Sequence, residues 1–284
     1  MSGDAEDPIA RSDLSTRFVM GVVMAAVACL SIYVGGWLFR ALVAAGAAIM
    51  LVEWGDMHRV PRRWSIAGAA LLALGLLGAG GFYYPPGQMD LDLIDNVQAI
   101  GPESFEAVWS ALAVLAGLAL LTGLISRRVT MAGGFLYIAV PALALILLEW
   151  SWFPFVLWAM LVTWSTDIFA YFAGRSIGGP KLAPRVSPNK TWAGLGGGVI
   201  GAALIGWLIA RFFDLGSPFL YIGGVMGVIA QGGDLYESWL KRRAGVKDSG
   251  TLLPGHGGVL DRLDGLLPVA LATLLILMAG LWTG

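Results

Sequence analysis

Nine runs of mostly apolar residues recur along the chain, at roughly 18–36, 37–54, 64–83, 107–125, 131–149, 152–173, 193–213, 217–233 and 263–283. Each is bounded by charge, proline or glycine. A helix crosses a bilayer core about 30 Å thick with about 20 such residues. The pattern therefore predicts an all-α polytopic integral membrane protein with about nine transmembrane helices. A membrane β-barrel would need short segments alternating in polarity, and these runs do not alternate. Composition points the same way: 57% of the residues are hydrophobic, 13% are charged and the mean hydropathy is +0.76. One soluble core could not hide so much apolar surface. The Gly and Ala content of the runs suits helices that approach closely in lipid.

Charge adds an orientation. The net charge is −1, so bulk charge names no partner, and nothing in it points to nucleic acid. The distribution is more informative. With nine spans, Arg11, Arg17, Arg59, Arg62, Arg63, Arg127 and Arg128 fall on one side of the membrane, with Arg175, Lys181, Arg185 and Lys190. Lys241, Arg242, Arg243, Lys247 and Arg262 join them, which leaves Arg40 and Arg211 near the other face. Cytoplasmic loops carry the excess of Lys and Arg. The expected topology thus has a cytoplasmic N terminus, a C terminus outside, and both large polar loops in the cytoplasm of a cell (inner) membrane. The first 17 residues mix acids with bases, unlike a signal peptide, so the first run is expected to be a retained helix. The single Cys29 forms no intrachain disulfide.

The two halves differ in chemistry. Residues 1–150 read as about five N-terminal spans with short loops. Glu53, Trp54, Asp56 and His58 close the second run and are read as an interfacial end with a tryptophan anchor. The stretch from Tyr84 to Glu106 carries acids and no Lys or Arg, as an outward connector would. Residues 151–284 hold the unusual polar groups. Asp167 lies inside an apolar run, where an ionisable group is costly and functional by default. With Tyr171, Gly174 and Arg175 it forms one helical stripe. The segment Gly174–Gly194 contains Gly178, Gly179, Pro180, Pro184 and Pro188, so it is expected to be a loop. Its cations suit either phosphate oxygens or anionic lipid. Asp234, Glu237, Ser238 and Lys241 follow helical spacing and form one polar face. After Lys247 and Asp248 a Gly/Pro-rich turn leads to Asp261 and Asp264, one helical turn apart, with Leu260, Leu263 and Leu267 as the buried face. Helix ends carrying Asp234 and Asp261 are expected to converge at the cytoplasmic rim.

Carboxylates beside a pool of Lys and Arg suit a divalent cation and an anionic, phosphate-bearing substrate. Zinc is disfavoured, because the chain has two His, His58 and His256, and no Cys near them. Neither a Walker A loop nor a G-x-S-x-G nucleophile elbow occurs. A transporter of anionic lipid stays open on this reading, although the polar chemistry is confined to one half.

The segment SWLKRRAGVKDSGTLLPGHGGVLDRLD, Ser238 to Asp264, resembles the signature of the phosphatidate cytidylyltransferases, or CDP-diacylglycerol synthases. Asp167-Ile168-Phe169-Ala170-Tyr171 and Ser187-Pro188-Asn189-Lys190-Thr191-Trp192 are similar to the same family, and the likeness covers at least 131–283. The resemblance implies a polytopic helical membrane enzyme that condenses CTP with phosphatidate to CDP-diacylglycerol and pyrophosphate at a cytoplasmic site. It implies that Asp234 and Asp261 hold Mg²⁺, with room for a second cation, and that Asp167 and Lys241 complete the catalytic set. Ser187, Lys190, Ser238, Arg242, Lys247, Asp248, His256, Arg262 and Asp264 are expected around the substrates. Asn189 and Ala193 depart from the Lys and Glu of many relatives and receive no role. A CTP-dependent kinase of polyprenol or phytol is the competing enzyme class. The Gly-rich spans suit a homodimer.

Overall fold

Breaks in the chain follow from backbone chemistry, and a computed structural model shows them over residues 8–78, 102–250, 252 and 257–280; the side chains of 8–18, 102–105 and 107 are not described. Helix α1 (Pro8–Val34) ends at Gly35, whose φ of 64° turns the chain directly into α2 (Gly36–Met57). Helices α3 (Arg62–Gly78), α4 (Pro102–Ser126) and α5 (Val129–Ser151) follow. Trp152 then adopts an extended conformation between α5 and α6 (Phe153–Ser176), and Pro154 fills the first turn of α6, where its missing N–H has no role.

The Gly/Pro-rich segment after α6 is more ordered than expected. It forms an antiparallel hairpin of β1 (Lys181–Ala183) and β2 (Ser187–Thr191), pairing Lys181 with Thr191 and Ala183 with Ser187. Its prolines fall at positions the ladder tolerates. Thr191 ends the hairpin and caps α7 (Trp192–Phe213), its hydroxyl accepting from Gly194 N at 3.0 Å.

Two runs read as single spans are interrupted. The eighth divides into a five-residue helix α8 (Ser217–Tyr221) and α9 (Gly223–Ala244), which continues well past residue 233. The ninth divides at Gly265 into α10 (Leu260–Leu263) and α11 (Leu266–Met278). Five helical segments among the described residues are long and apolar enough to cross a membrane: Gly36–Met57, Val108–Ser126, Val129–Ser151, Phe153–Ser176 and Trp192–Phe213. Val19–Val34 and Leu266–Met278 are shorter apolar helices. The protein is thus a helical membrane protein, with one small hairpin among the described residues.

Small residues set the closest approaches. On α7, a Cβ at Gly201 would strike the Phe169 ring of α6, and one at Gly206 would come 3.1 Å from the Gly223 Cα of α9. Helices α6, α7 and α9 therefore pack backbone to backbone. Trp158 fills the space between them, fully buried, and donates to Gly206 O at 2.9 Å. Trp54 is no interfacial anchor. It is buried, donates to Thr130 O at 2.9 Å and stacks on His58 at 4.6 Å. The reason lies on another helix: Gly134 of α5 leaves room for the indole ring.

Candidate active site

Helix α9 carries the centre of the site. Its first half is apolar and Gly-rich, and its last half turns polar one side at a time. Gly245, with φ 76°, then ends it, its N–H donating to Arg242 O while Val246 N donates to Lys241 O. The expected face of Asp234, Glu237, Ser238 and Lys241 forms, with Asp234, Ser238 and Lys241 half-buried. Glu237 is fully buried, and neither of its oxygens has a hydrogen-bond partner among the described residues.

Two lysine–aspartate pairs organise this face. In the first, Lys190 of β2 pairs with Asp234 Oδ2 and also donates to Gln231 Oε1 at 3.0 Å. Ser238 Oγ donates to the other oxygen, Asp234 Oδ1, at 3.3 Å. In the second, Lys241 Nζ lies 2.7 Å from Asp261 Oδ1 and 3.5 Å from Glu237 Oε2. Asp261 receives more than the lysine. Ser249 N donates to both of its oxygens, at 3.2 and 2.9 Å, and Gly258 N donates to Oδ2 at 2.8 Å. Burial alone would raise the Asp261 pKa, but Lys241 and the two amides outweigh it and hold the carboxyl below its usual range. Burial likewise disfavours the Lys241 ammonium, yet Asp261 and Glu237 raise its pKa overall.

A cavity of about 550 Å³ opens beside the first pair, lined by Asp167, Tyr171, Gly174, Arg175, Lys190 and Asp234 among others. The expected stripe of α6 thus faces the same space as β2 and α9. Arg175 donates to Tyr171 OH at 3.5 Å across that stripe. Asp167 lies within electrostatic reach of Asp264, Asp234, Lys190 and Arg262, so the ninth run also contributes to this neighbourhood.

The remaining expected residues divide. Asp261 and Asp264, though one turn apart, have different company. Asp261 faces Lys241 and the loop amides, while Asp264 accepts from Gly265 N at 2.8 Å and sits near Glu237 and Asp234. Ser187 opens β2 opposite Ala183. Arg242 donates to Val186 O at 3.4 Å and Val246 O at 3.3 Å, which ties the hairpin to the end of α9. Lys247 and Asp248 are exposed on the turn beyond it and take no part in either pair. Leu260 and Leu267 are buried as expected, and Leu263 is partly buried. His256, with most of its turn, and the acidic connector before residue 102 lie outside the described residues.

Gln231, Glu237 and Glu53 are parts of this region that carried no role in the reading above. Gln231 gives no sequence signal beyond lying one helical turn before Asp234. Glu53 did give one: it is an acid within an apolar run, the same cue that singled out Asp167.

No group of three or more His, Cys, Asp or Glu among the described residues forms a closed metal cage. Asp234 and Asp261 still supply the hard oxygen donors that Mg²⁺ takes, and such an ion commonly uses only one or two carboxylates, completing its shell with water and substrate phosphate. Asp234, engaged by one lysine and one hydroxyl, has more lone pairs to spare than Asp261.

The profile of the "Cytidylyltransferase family" matches residues 15–279. A phosphatidate cytidylyltransferase of Brucella abortus (strain 9-941) is 38% identical, with 95% of each chain covered. One of Bacillus subtilis (strain 168) is 32% identical over 90% of this chain and 94% of its own. One of Rickettsia bellii (strain RML369-C) is 38% identical over 48% of this chain and 64% of its own.

Proposed function

The chain belongs to the cytidylyltransferase family, and from that premise we propose that it transfers the cytidylyl group of CTP to phosphatidate, giving CDP-diacylglycerol and pyrophosphate for phospholipid synthesis. The observation that carries this reading is the near full-length likeness to phosphatidate cytidylyltransferases. The Lys190–Asp234 pair at the wall of a cavity of ligand size supports it, as does the Lys241–Asp261 pair further along α9.

In the proposed reaction an oxygen of the phosphatidate phosphate attacks the α-phosphorus of CTP, a new P–O bond forms, and the bond to the pyrophosphate oxygen breaks. A phosphate monoester has a second pKa of about 6, so the attacking group is largely ionised at neutral pH and needs no protein base. Lys190 and Arg175 supply positive charge at the cavity wall, where oxygens bearing developing charge would lie. Lys241 and Arg262 extend that field toward the signature turn. Ser187, Ser238, Arg242, Lys247, Asp248, His256 and Asp264 belong to the substrate surroundings in the same proposal. Asp234 and Asp261 would hold the Mg²⁺, which when bound supplies charge neutralisation and Lewis acidity. Asp167, which lines the same cavity, completes the catalytic set.

The same reading has nine spans: α1 to α7, then α8 with α9 up to residue 233, then the run 263–283 that holds α11. It places the N terminus and the site in the cytoplasm, the C terminus outside, and a catalytic half at 151–284 after an N-terminal half at 1–150. The protein would reside in the cell (inner) membrane, with homodimerisation through its Gly-rich helices. Incubation of the purified protein with labelled CTP, phosphatidate and Mg²⁺ tests the activity. The expected products are labelled CDP-lipid and pyrophosphate. A phosphorylated lipid with free CDP would mean a kinase, and the absence of any lipid product would overturn the assignment. Chelation followed by Mg²⁺ readdition tests the ion, and protease access to tags at either terminus tests the orientation.

A further inference from the structure

Glu53 joins the N-terminal half of the chain to the signature turn. It lies near the end of α2 and is 5% exposed. Three donors converge on its carboxylate from about 200 residues away. Val259 N donates to Oε1 at 2.9 Å, while Leu260 N and Ser249 Oγ donate to Oε2 at 2.9 and 3.2 Å. Two glycines close over it. A Cβ at Gly250 would come 2.7 Å from Oε1, and one at Gly258 would come 2.7 Å from Oε2. Glu53 therefore holds the backbone on both sides of the segment 251–256.

The groups it holds are the ones that hold Asp261. Ser249 donates its N–H to Asp261 and its hydroxyl to Glu53. Gly258 donates its N–H to Asp261 while its Cα packs against the Glu53 carboxylate. The two carboxylates grip one turn of backbone from opposite sides. Gly250 and Gly258 bring no side chain with which to anchor this backbone, so hydrogen bonds help to fix it. Charged acceptors make the stronger ones, which offsets the cost of burying the acid.

We propose that Glu53 is a positioning residue for the cytidylyl transfer, setting the backbone at 249–250 and 258–260 and through it the direction of Asp261 and its pair with Lys241. The proposal rests on the cytidylyltransferase reading above. Glu53→Gln keeps the size of the side chain but turns an amide donor toward backbone donors. A misplacement of about 1 Å can cost ~100-fold in rate. The expected result is a kcat lower by about 10- to 100-fold, with KM for CTP and phosphatidate within about 3-fold, because the residue touches neither substrate. Amide exchange at Ser249, Val259 and Leu260 should quicken while α5 and α6 stay protected, and Glu53→Asp should recover part of the loss.

A wild-type kcat in Glu53→Gln overturns the proposal, and so does a loss of protection spread evenly over the bundle, which would mark a merely structural role. Should that variant fail to fold, Ser249→Ala decides. It removes one donor to Glu53 and keeps the amide on Asp261. A fall in kcat of about 3-fold or more supports the role, and an unchanged kcat overturns it. Wild-type protein that forms no CDP-lipid would sink the functional reading by itself, whereas a fully active Glu53→Gln would sink only the positioning role.

Discussion

The two lysine–aspartate pairs are made of the same groups, each with one member on α9, yet their surroundings differ. The Lys190–Asp234 pair bridges the hairpin and α9 at a cavity wall, with side chains 18% and 29% exposed. The Lys241–Asp261 pair is 12% and 6% exposed and is wired to two backbone amides. In the proposed reaction the first pair would be the one to exchange its partner for a ligand, because it is the more exposed. The second has fewer lone pairs to offer an ion, because Lys241, Ser249 N and Gly258 N already engage Asp261. Burial and backbone hydrogen bonds, more than residue type, separate the two pairs.

Breaking the second pair should have the largest effect. Asp261→Asn is expected to lower kcat by about 1,000-fold, at the upper end for loss of one preorganised electrostatic group. It should also cost about 3 kcal/mol of stability, as removal of one partner leaves a buried charge; thermal unfolding in detergent measures it. The pair has a pH signature too. The Asp261 pKa is lowered in the folded protein, so its stabilisation is complete above the unfolded carboxylate range and is lost as pH falls through the lower folded value. Wild-type stability should therefore drop more steeply than that of Asp261→Asn below about pH 4. Asp234→Asn should lower kcat by about 100-fold but cost less than about 1 kcal/mol, since its pair is partly exposed. Equal losses of stability for the two asparagine variants would break the comparison. Lys190→Gln is expected to raise KM for CTP about tenfold, the value of one charged hydrogen bond, with unfolding unchanged. The smallest effect belongs to Ser238→Ala, about 3-fold in kcat, because its hydroxyl only steadies Asp234 at 3.3 Å.

Local pattern made much of this legible. The apolar runs announced helices, the Asp167 stripe does line a cavity, and the spacing of Asp234, Ser238 and Lys241 does place them on one face. Where the reading failed, long-range contact decided. The glycines and prolines after α6 suggested an irregular loop, but cross-strand pairing made a hairpin that carries Lys190 to Asp234. Trp54 and Glu53 looked like a membrane-interface end, because nothing near them in sequence reveals the Gly134 recess or the donors at 249–260.

The sequence by itself determined the class of protein and pointed to the candidate site residues, since hydropathy, helical phase and a contiguous signature are properties of neighbouring positions. Only the tertiary structure decided which oxygen meets which cation, that Asp261 and Asp264 have different partners, and that an acid from α2 closes the turn before Asp261. Those choices depend on burial and on hydrogen bonds between groups as much as 207 residues apart, and no local pattern of a chain encodes such a distance.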